Sequence, residues 1–266
     1  MTDRSLHGAK ILLTGASSGI GAAIALALAR EGATLALLAR RSELLEQVLA
    51  GALAAGAHPD SRFWSVDLDD VEAAEDAAVR AWDTLGHLDG FVSNAALLRR
   101  RRAPAVPAAE LEQHLRVNFL APARMSLALA PRMIKRGDGT IVMVGSVAGR
   151  IGAPGELSYV ASKHALAGFT ETLAVDTLGS GLRVRLLTLG PFDTGIWQDN
   201  GGEATHYAGV RHPPSLAADA VLDLLAGRRS GYETFVPEQA AQTVRSRFAD
   251  VDAFITRAAR MTSPHP

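Results

Sequence analysis

The stretch TGASSGIG, residues 14–21, follows the apolar run Ile11–Leu13 and precedes a segment with helical periodicity. Its three glycines predict a sharp turn from a strand into a helix, where backbone N–H groups can come very close to a ligand. A helix N-terminus attracts phosphate, and Ser17 and Ser18 could cap the helix or hydrogen-bond such a phosphate. The spacing G-x-x-x-G-x-G differs from G-x-G-x-x-G, so a tight turn that binds nothing is kept as the alternative.

Strand-like and helix-like patterns alternate along the chain outward from this turn. The predicted strands are Lys10–Thr14, Thr34–Leu38, Ser61–Asp67, Leu88–Ser93, Gly139–Gly145, Leu182–Leu189 and Glu233–Val236. The predicted helices are Ile20–Glu31, Ser42–Ala55, Val71–Leu85, Pro107–Arg136, Glu156–Leu178 and Leu216–Arg228. This alternation predicts one α/β domain over residues 1–266, a doubly wound parallel sheet with helices on both faces.

Composition excludes several classes of protein. The chain has 266 residues, of which 48% are hydrophobic, so one well-buried core is expected. A net charge of −1 gives no general attraction to nucleic acid or to an anionic membrane. The absence of cysteine excludes disulfides, thiolate metal sites and a cysteine nucleophile, and the histidines form no recognisable metal motif. Without a signal-peptide pattern or a membrane-spanning apolar run, a cytoplasmic location is expected.

The least regular stretch is Pro191–Ser215, which is rich in glycine and carries the apolar side chains Ile196, Trp197 and Tyr207. A loop this long in a compact domain is usually functional or mobile. We predict a lid over the substrate at 191–215, with a rigid surface excursion as the alternative. A C-terminal helical extension is expected at about 238–260.

The end of the second predicted strand indicates the cofactor. An NAD-specific dinucleotide fold places an acidic residue about 20 residues after the glycine turn, where it binds the ribose 2′-OH. Here the strand ends in Arg40 and Arg41, and the first acid is Glu43. Guanidinium groups suit a 2′-phosphate, so NADP(H) is predicted unless both arginines simply face water at a helix start. For Asp67, at the end of the third predicted strand, two roles stay open: its side chain accepts a hydrogen bond from an adenine amino group, or it caps the next helix.

A tyrosine and a lysine share one face of a predicted helix. Tyr159 and Lys163 lie four positions apart in YVASK, so both side chains can point to one site. A nearby ammonium favours the phenolate and lowers the pKa of a tyrosine. Ser146 ends the preceding strand on the same rim of the sheet, where its hydroxyl could orient a carbonyl or hydroxyl substrate.

Together these motifs resemble the short-chain dehydrogenase/reductase family from about Lys10 to Val236. The matching segments are TGASSGIG (14–21), VDL (66–68), SNAA (93–96), VNFLA around Asn118, VGSVAG around Ser146, YVASK (159–163) and LGPFDT (189–194). The resemblance implies a seven-stranded Rossmann-like sheet in the order 3-2-1-4-5-6-7. It also implies hydride transfer between a nicotinamide and a ketone or secondary alcohol.

The resemblance implies a role for each matched polar residue. Tyr159 would be the general acid/base and Ser146 the substrate orienter. Lys163 would hold the ribose hydroxyls and lower the pKa of Tyr159, and Asn118 would hold a water that relays protons. With the residues argued above, the expected cofactor-binding set is Gly15, Ser17, Ser18, Gly19, Ile20, Gly21, Arg40, Arg41, Asp67, Leu68, Asn94, Ala95, Tyr159, Lys163, Gly190, Pro191, Phe192 and Thr194.

Two departures from the family pattern affect details of cofactor binding. Ala96 stands where the family usually has glycine, and Leu189-Gly190 stands where it usually has Pro-Gly. Asn94 is still expected to brace the central strands, and Thr194 to contact the nicotinamide carboxamide. Neither departure removes a reacting group.

The expected partners are a small carbonyl or alcohol substrate and further copies of the chain in a homodimer or homotetramer, with no nucleic acid and no membrane. Two other functions stay open: a 3-oxoacyl-thioester reductase of fatty-acid type, and a non-catalytic nucleotide-sensing scaffold on the same fold. The complete Ser, Tyr, Lys and Asn set argues against the scaffold, because a binder needs no proton donor. The run Arg99–Arg102 could attract an anionic substrate, but a solvated loop or subunit rim is the preferred interpretation.

Overall fold

A parallel sheet organises the computed structural model, which describes residues 4–198, 202–203, 207 and 209–260. Within these residues seven strands pair in the order β3-β2-β1-β4-β5-β6-β7, as predicted. They are β1 (Lys10–Thr14), β2 (Thr34–Ala39), β3 (Arg62–Ser65), β4 (Gly90–Ser93), β5 (Gly139–Ser146), β6 (Leu182–Leu189) and β7 (Glu233–Val236).

Helices cover both faces of the sheet. The α-helices in the described ranges are α1 (Gly19–Arg30), α2 (Ser42–Ala54), α3 (Val71–Leu85), α4 (Ala108–Leu115), α5 (Ala121–Arg136), α6 (Leu157–Asp176), α7 (Pro214–Ala226), α8 (Ala240–Ala249) and α9 (Val251–Arg260). Side chains alternate across β1, so that Ile11 and Leu13 pack with α1 and α7, whereas Leu12 packs with α3, α5 and α6. Two apolar layers therefore sandwich the central strands and fix the rim where the strands end.

The predicted helix Pro107–Arg136 is interrupted, which corrects the sequence prediction. Between α4 and α5 the residues Arg116–Leu120 form a wider π turn, closed by the Ala121 N–H donating to the Arg116 carbonyl. An α-helix would require residue 122 to donate to the carbonyl of Asn118, but residue 122 is proline and has no N–H. The chain therefore widens at Asn118, and such π turns occur frequently at functional sites.

Other boundaries differ from the prediction by a few residues. Strands β3 and β4 are shorter than expected, because pairing with their neighbours begins at Arg62 and Gly90. Helix α7 begins at Pro214, so the irregular segment after β6 ends at Pro213. Of the predicted lid, residues 199–201, 204–206 and 208 lie outside the described residues. No helix among the described residues is long and apolar enough to span a membrane.

Candidate active site

Close packing within the protein requires glycine at two positions of the turn between β1 and α1. Gly15 has a φ of 68°, and a Cβ at this position would lie 2.7 Å from the Cα of Ala95. A Cβ on Gly21 would lie 2.0 Å from the carbonyl oxygen of Gly15. The Asn94 side chain donates to the Thr14 carbonyl at 3.1 Å, and the Asn94 backbone N–H donates to the Thr14 hydroxyl at 3.0 Å. Asn94 thus ties the end of β4 to the turn.

Two serines and an arginine meet at the mouth of this turn. The Arg41 guanidinium donates to the hydroxyls of Ser18 at 2.7 Å and Ser17 at 3.1 Å. Ser18 precedes α1 in extended backbone, and its side chain makes no capping hydrogen bond, so the side-chain cap considered for Ser18 is wrong. Hydroxyls, a guanidinium and the open N-terminus of α1 are the donors that a phosphate group needs.

Arg40 and Asp67 face each other across the ends of β2 and β3. Their closest nitrogen and oxygen are 3.7 Å apart, and both side chains are exposed. Asp67 does not cap α3, which corrects that alternative, because the side chain of Asp70 accepts from the Ala73 N–H instead. The neighbouring Leu68 is buried in the core. Both charged groups therefore remain within reach of a ligand at this end of the rim.

Tyr159 and Ser146 form the polar centre of the cleft. Ser146 is the last residue of β5, and its hydroxyl accepts from the Ala148 N–H at 3.2 Å. Tyr159 lies in the first turn of α6, buried against Leu98 and Ala148, and Ser146 is near enough to its hydroxyl to act on its pKa. The two hydroxyls are thereby presented together.

Burial dominates the electrostatics of this centre. Burial raises the pKa of Tyr159 above its usual value, the nearby Glu156 raises it further, and the neighbouring Ser146 hydroxyl and the charge of Arg100 lower it. Burial also lowers the pKa of Lys163 to about 8. Lys163 is not among the groups that shift the pKa of Tyr159, so the expectation that it lowers this pKa stays a prediction. The tyrosine stays protonated at neutral pH, because its desolvation dominates.

The polar side-chain atoms of Lys163 and Asn118 are hydrogen-bonded within the protein. The Lys163 ammonium donates to the carbonyl of Val144 at 3.0 Å. The Asn118 amide donates to the Leu97 carbonyl at 2.8 Å and to the Ser162 hydroxyl at 3.0 Å, and its oxygen accepts from the Leu97 N–H at 2.7 Å. Asn118 therefore holds the segment after β4 against α6. Sequence reasoning did not include Ser162, although it stands next to Lys163.

The segment after β6 forms the other wall of the cleft. Gly190 donates to the Val236 carbonyl at 2.8 Å, and the Pro191 carbonyl accepts from the His212 N–H at 3.0 Å. Phe192 is buried, whereas the Thr194 hydroxyl accepts from the Ile196 N–H at 3.4 Å. A Cβ on Gly19 would lie 3.3 Å from Thr194, so this wall reaches the glycine turn where Ile20 packs into the core.

Arg100 is buried beside Glu156, which corrects the interpretation of the arginine run as a solvated loop at this one position. The Arg100 side chain is 7% exposed, and its Nε donates to Glu156 at 3.0 Å. Its guanidinium carbon lies 4.8 Å from the centre of the Trp197 ring. Arg101 pairs with the buried Glu110 at 3.2 Å. Sequence reasoning missed Glu156, although it stands one helical turn before Tyr159.

The residues on this rim fit a dinucleotide. The glycine turn offers backbone N–H groups and hydroxyls beside Arg41, and Arg40 and Asp67 flank the same edge. Ser146 and Tyr159 stand further along the rim, beyond the ends of β1 and β4 where the strand order reverses. In open α/β sheets this reversal is where nucleotides bind.

Comparison with known proteins agrees with this geometry. A family model described as short chain dehydrogenase matches residues 9–204, which include the glycine turn, Ser146 and Tyr159. The chain belongs to the short-chain dehydrogenase family. This family uses a nicotinamide cofactor, and the chain is an oxidoreductase of it. Among the described residues of this dehydrogenase, no group of histidines and carboxylates could hold a metal ion.

Relatives of this short-chain dehydrogenase share most of its length. The oxidoreductase UcpA of Salmonella typhimurium is 38% identical over 186 residues, 70% of each chain. The ketoacyl reductase HetN of Nostoc sp. is 31% identical over 216 residues, 80% of this chain and 74% of the relative. A solved alcohol dehydrogenase from the archaeon Thermococcus sibiricus, complexed with 5-hydroxy-NADP, is 26% identical with a TM-score of 0.74, over 85% of this chain and 95% of that one.

Proposed function

We propose that the protein is an NADP(H)-dependent oxidoreductase that interconverts ketones and secondary alcohols, with Tyr159 as the general acid/base. The observation that carries this proposal is the buried tyrosine, packed against Ala148 two residues after Ser146, with the Lys163 ammonium 5.8 Å from the centre of its ring. A phenol that stays protonated at neutral pH is the form that a carbonyl reduction requires. A binding scaffold would not need such a donor.

In the proposed reduction, the hydroxyls of Ser146 and Tyr159 hold the substrate oxygen. When bound, the nicotinamide supplies the hydride, or accepts it in the reverse direction. Tyr159 gives its proton to the substrate oxygen as negative charge develops there. The ammonium of Lys163 then stabilises the phenolate, because an opposite charge nearby favours the ionised form.

Reprotonation of Tyr159 is proposed to run through Lys163 and a water held at Asn118. Both amide hydrogens of Asn118 are already used by Leu97 and Ser162. The water ligand would therefore be the backbone carbonyl of Asn118, which Pro122 cannot engage as an α-helical residue would. Lys163 would also bind the ribose hydroxyls, and Thr194 the nicotinamide carboxamide.

The preference for NADP(H) rests on Arg40 and Arg41. Arg41 lies with Ser17 and Ser18 at the helix start, and Arg40 is exposed beside Asp67. No acidic residue stands at the end of β2, where an NAD-specific fold uses one. Two guanidinium groups at this position favour a 2′-phosphate. The Thermococcus sibiricus neighbour carries an NADP analogue, which agrees with this proposal.

We further propose that the segment 191–215 is a lid and that the protein acts as a cytoplasmic homodimer or homotetramer. Support for the lid is the contact of Trp197 with Arg100 and with Tyr207, whose ring stacks on it at 5.6 Å. Support for assembly is the exposure of the apolar side chains Leu127 and Leu178, since large exposed apolar groups mark interfaces. Light scattering after gel filtration tests the assembly.

The function is tested by following NADPH oxidation against ketones, diketones, steroids and acetoacetyl thioesters. Turnover of a ketone supports the proposal. A strong preference for thioesters would favour the alternative, a 3-oxoacyl-thioester reductase. The 31% identity to a ketoacyl reductase supports keeping this alternative in the test. Tight NADPH binding without turnover of any substrate would instead favour the nucleotide-sensing scaffold.

A further inference from the structure

Arg100 is a buried cation with an unused hydrogen-bond donor. Its side chain is 7% exposed, and its Nη2 nitrogen is buried without a hydrogen-bond partner among the described residues. A guanidinium carries several N–H donors in a planar fork, and buried donors are nearly always paired. Leaving such a donor unpaired is costly, especially on a charged group. An unpaired buried donor beside a reacting centre therefore points to a ligand.

The backbone around Arg100 is fixed to the start of α6. Arg101 and Glu156 form a parallel β-bridge, and the Arg101 N–H donates to the Gly155 carbonyl at 2.7 Å. The Nε of Arg100 donates to Glu156 at 3.0 Å. Glu156 thus takes one N–H donor of the guanidinium, and the Nη2 nitrogen keeps its own donors unpaired in the part of the chain that the structure describes. The guanidinium is thus positioned by the protein before any substrate enters.

This pair lies near Tyr159, the proposed acid/base. Glu156 precedes Tyr159 by three residues at the start of α6, and the charges of Glu156 and Arg100 both act on the pKa of Tyr159. Leu98, two residues before Arg100, packs against the Tyr159 ring. A substrate whose oxygen lies at Tyr159 therefore brings its neighbouring atoms towards Arg100.

We propose that Arg100 is a specificity residue that binds a carboxylate of the substrate through Nη2, so that the preferred substrates are oxo- or hydroxycarboxylates. This inference rests on the proposed reaction at Tyr159. Carboxylates match the planar guanidinium fork in geometry and charge. Glu156 already places one negative charge there, so a dianionic group such as a phosphate would meet stronger repulsion than a monoanionic carboxylate.

Two described residues of the segment after β6 contact Arg100. The centre of the Trp197 ring lies 4.8 Å from the Arg100 guanidinium and 4.6 Å from that of Arg211. The Glu203 N–H donates to the Arg100 carbonyl, and the Glu203 side chain accepts from the Arg102 N–H at 3.1 Å. These contacts help to bury Arg100, and a charge pair shielded from water interacts more strongly.

The test compares carboxylate substrates with their neutral methyl esters. The pairs are acetoacetate, levulinate and 4-acetylbenzoate with the corresponding esters, which vary the distance between carbonyl and carboxylate. Arg100→Met alone would leave Glu156 buried without its partner, so the double variant Arg100→Met/Glu156→Gln removes both charges together. Arg99→Met serves as the matched control, because the Arg99 side chain bonds to Gln113 rather than to Glu156.

We expect the parent to prefer a carboxylate over its ester in kcat/KM. The double variant lowers that ratio about ten- to a hundredfold, the value of one charge-assisted hydrogen bond, and Arg99→Met leaves it unchanged. Equal ratios in the parent and a folded double variant would overturn the inference. Ketone turnover in that case would leave the proposed function standing, whereas no turnover at all would refute the function.

A binding measurement keeps the inference testable even without turnover. Quenching of Trp197 fluorescence by 4-acetylbenzoate and by its methyl ester is titrated with NADP⁺ present, in a background where Trp64 and Trp82 are phenylalanine. Tighter binding of the carboxylate in the parent, lost in the double variant, supports the role of Arg100. Equal binding of acid and ester would contradict it.

Discussion

The ammonium nitrogen of Lys163 lies 5.8 Å from the centre of the Tyr159 ring, one helical turn further along α6. Its hydrogen bond goes to the Val144 carbonyl, and it has no carboxylate partner within the described part of the chain. Burial lowers its pKa from 10.5 to about 8. The folded protein therefore holds this proton less tightly than the unfolded chain does, which links stability to pH.

The first prediction concerns that linkage. Between about pH 8 and 10.5 the unfolded state binds the Lys163 proton and the folded state has released it, so stability rises with pH through this window. Below pH 8 the protonated buried lysine destabilises the folded state by about 3 kcal/mol. Relative to Lys163→Met, the free energy of unfolding of the parent should therefore increase by about 3 kcal/mol from pH 7 to 10.5.

Urea unfolding of the cofactor-free proteins at several pH values measures this difference. Lys135→Met makes the same change at an exposed position of α5 and provides the control. If the difference in the free energy of unfolding between the parent and Lys163→Met does not change across this pH window, burial does not lower the pKa of Lys163.

The second prediction is that Tyr159→Phe keeps the fold and the cofactor affinity but nearly abolishes turnover. Removing a positioned acid/base costs roughly 10²–10⁴ in rate. Steady-state kcat is measured beside an NADPH titration and a circular dichroism spectrum. Tyr232→Phe is the matched control, because it removes a tyrosine hydroxyl that bonds to the Ala167 carbonyl instead. A folded Tyr159→Phe protein with most of its activity would disprove the assignment.

The third prediction is that Arg40→Asp shifts cofactor preference from NADPH towards NADH. Loss of a charge-assisted bond to the 2′-phosphate corresponds to about ten- to a hundredfold in affinity. The measurement is the ratio of kcat/KM for the two cofactors, with Arg245→Asp on α8 as the control. If the ratio hardly changes while NADPH is still preferred, Arg41 makes the contact. A parent enzyme that prefers NADH would refute this cofactor assignment.

The fourth prediction is that the segment 191–215 closes over the substrate. Trypsin cleavage after Arg211 should be fast in the free protein and slow when NADP⁺ and a substrate analogue are bound. Cleavage after Arg245 in α8 serves as the internal control. Trp197 fluorescence should change with the same ligands, because a substrate bound beside Arg100 changes the surroundings of a ring that contacts Arg100 and Tyr207. Identical rates and fluorescence with and without saturating ligands would mean that the segment is no lid.

Local pattern was sufficient to predict the sheet and much of the cleft. The alternation of strands and helices predicted a parallel sheet, because parallel strands need helical crossovers, and the family resemblance implied the strand order. Helical spacing placed Tyr159 and Lys163 on one face, and the strand end placed Ser146 beside them. These relationships depend on residues close in sequence or on the ends of parallel strands, which share one rim.

Long-range contacts explain what the sequence did not predict. The burial of Arg100 depends on a bridge between Arg101 and Glu156, two segments separated by several secondary-structure elements. A run of four arginines carries no local sign of such a partner. The raised pKa of Tyr159 is equally non-local, since it follows from desolvation by several packed elements rather than from the spacing to Lys163. The π turn was missed because helical periodicity continues on both sides of it.

The bonds of Asn94 to Thr14, together with the close contact of Gly15 with Ala95, have a kinetic consequence. They hold the turn after β1 against the end of β4, so a dinucleotide bound there as proposed loses no affinity to a reorganisation of this turn. The opposite wall includes the segment after β6, whose described residues Trp197 and Glu203 contact Arg100. We therefore expect the dinucleotide to enter first and the second reactant to follow.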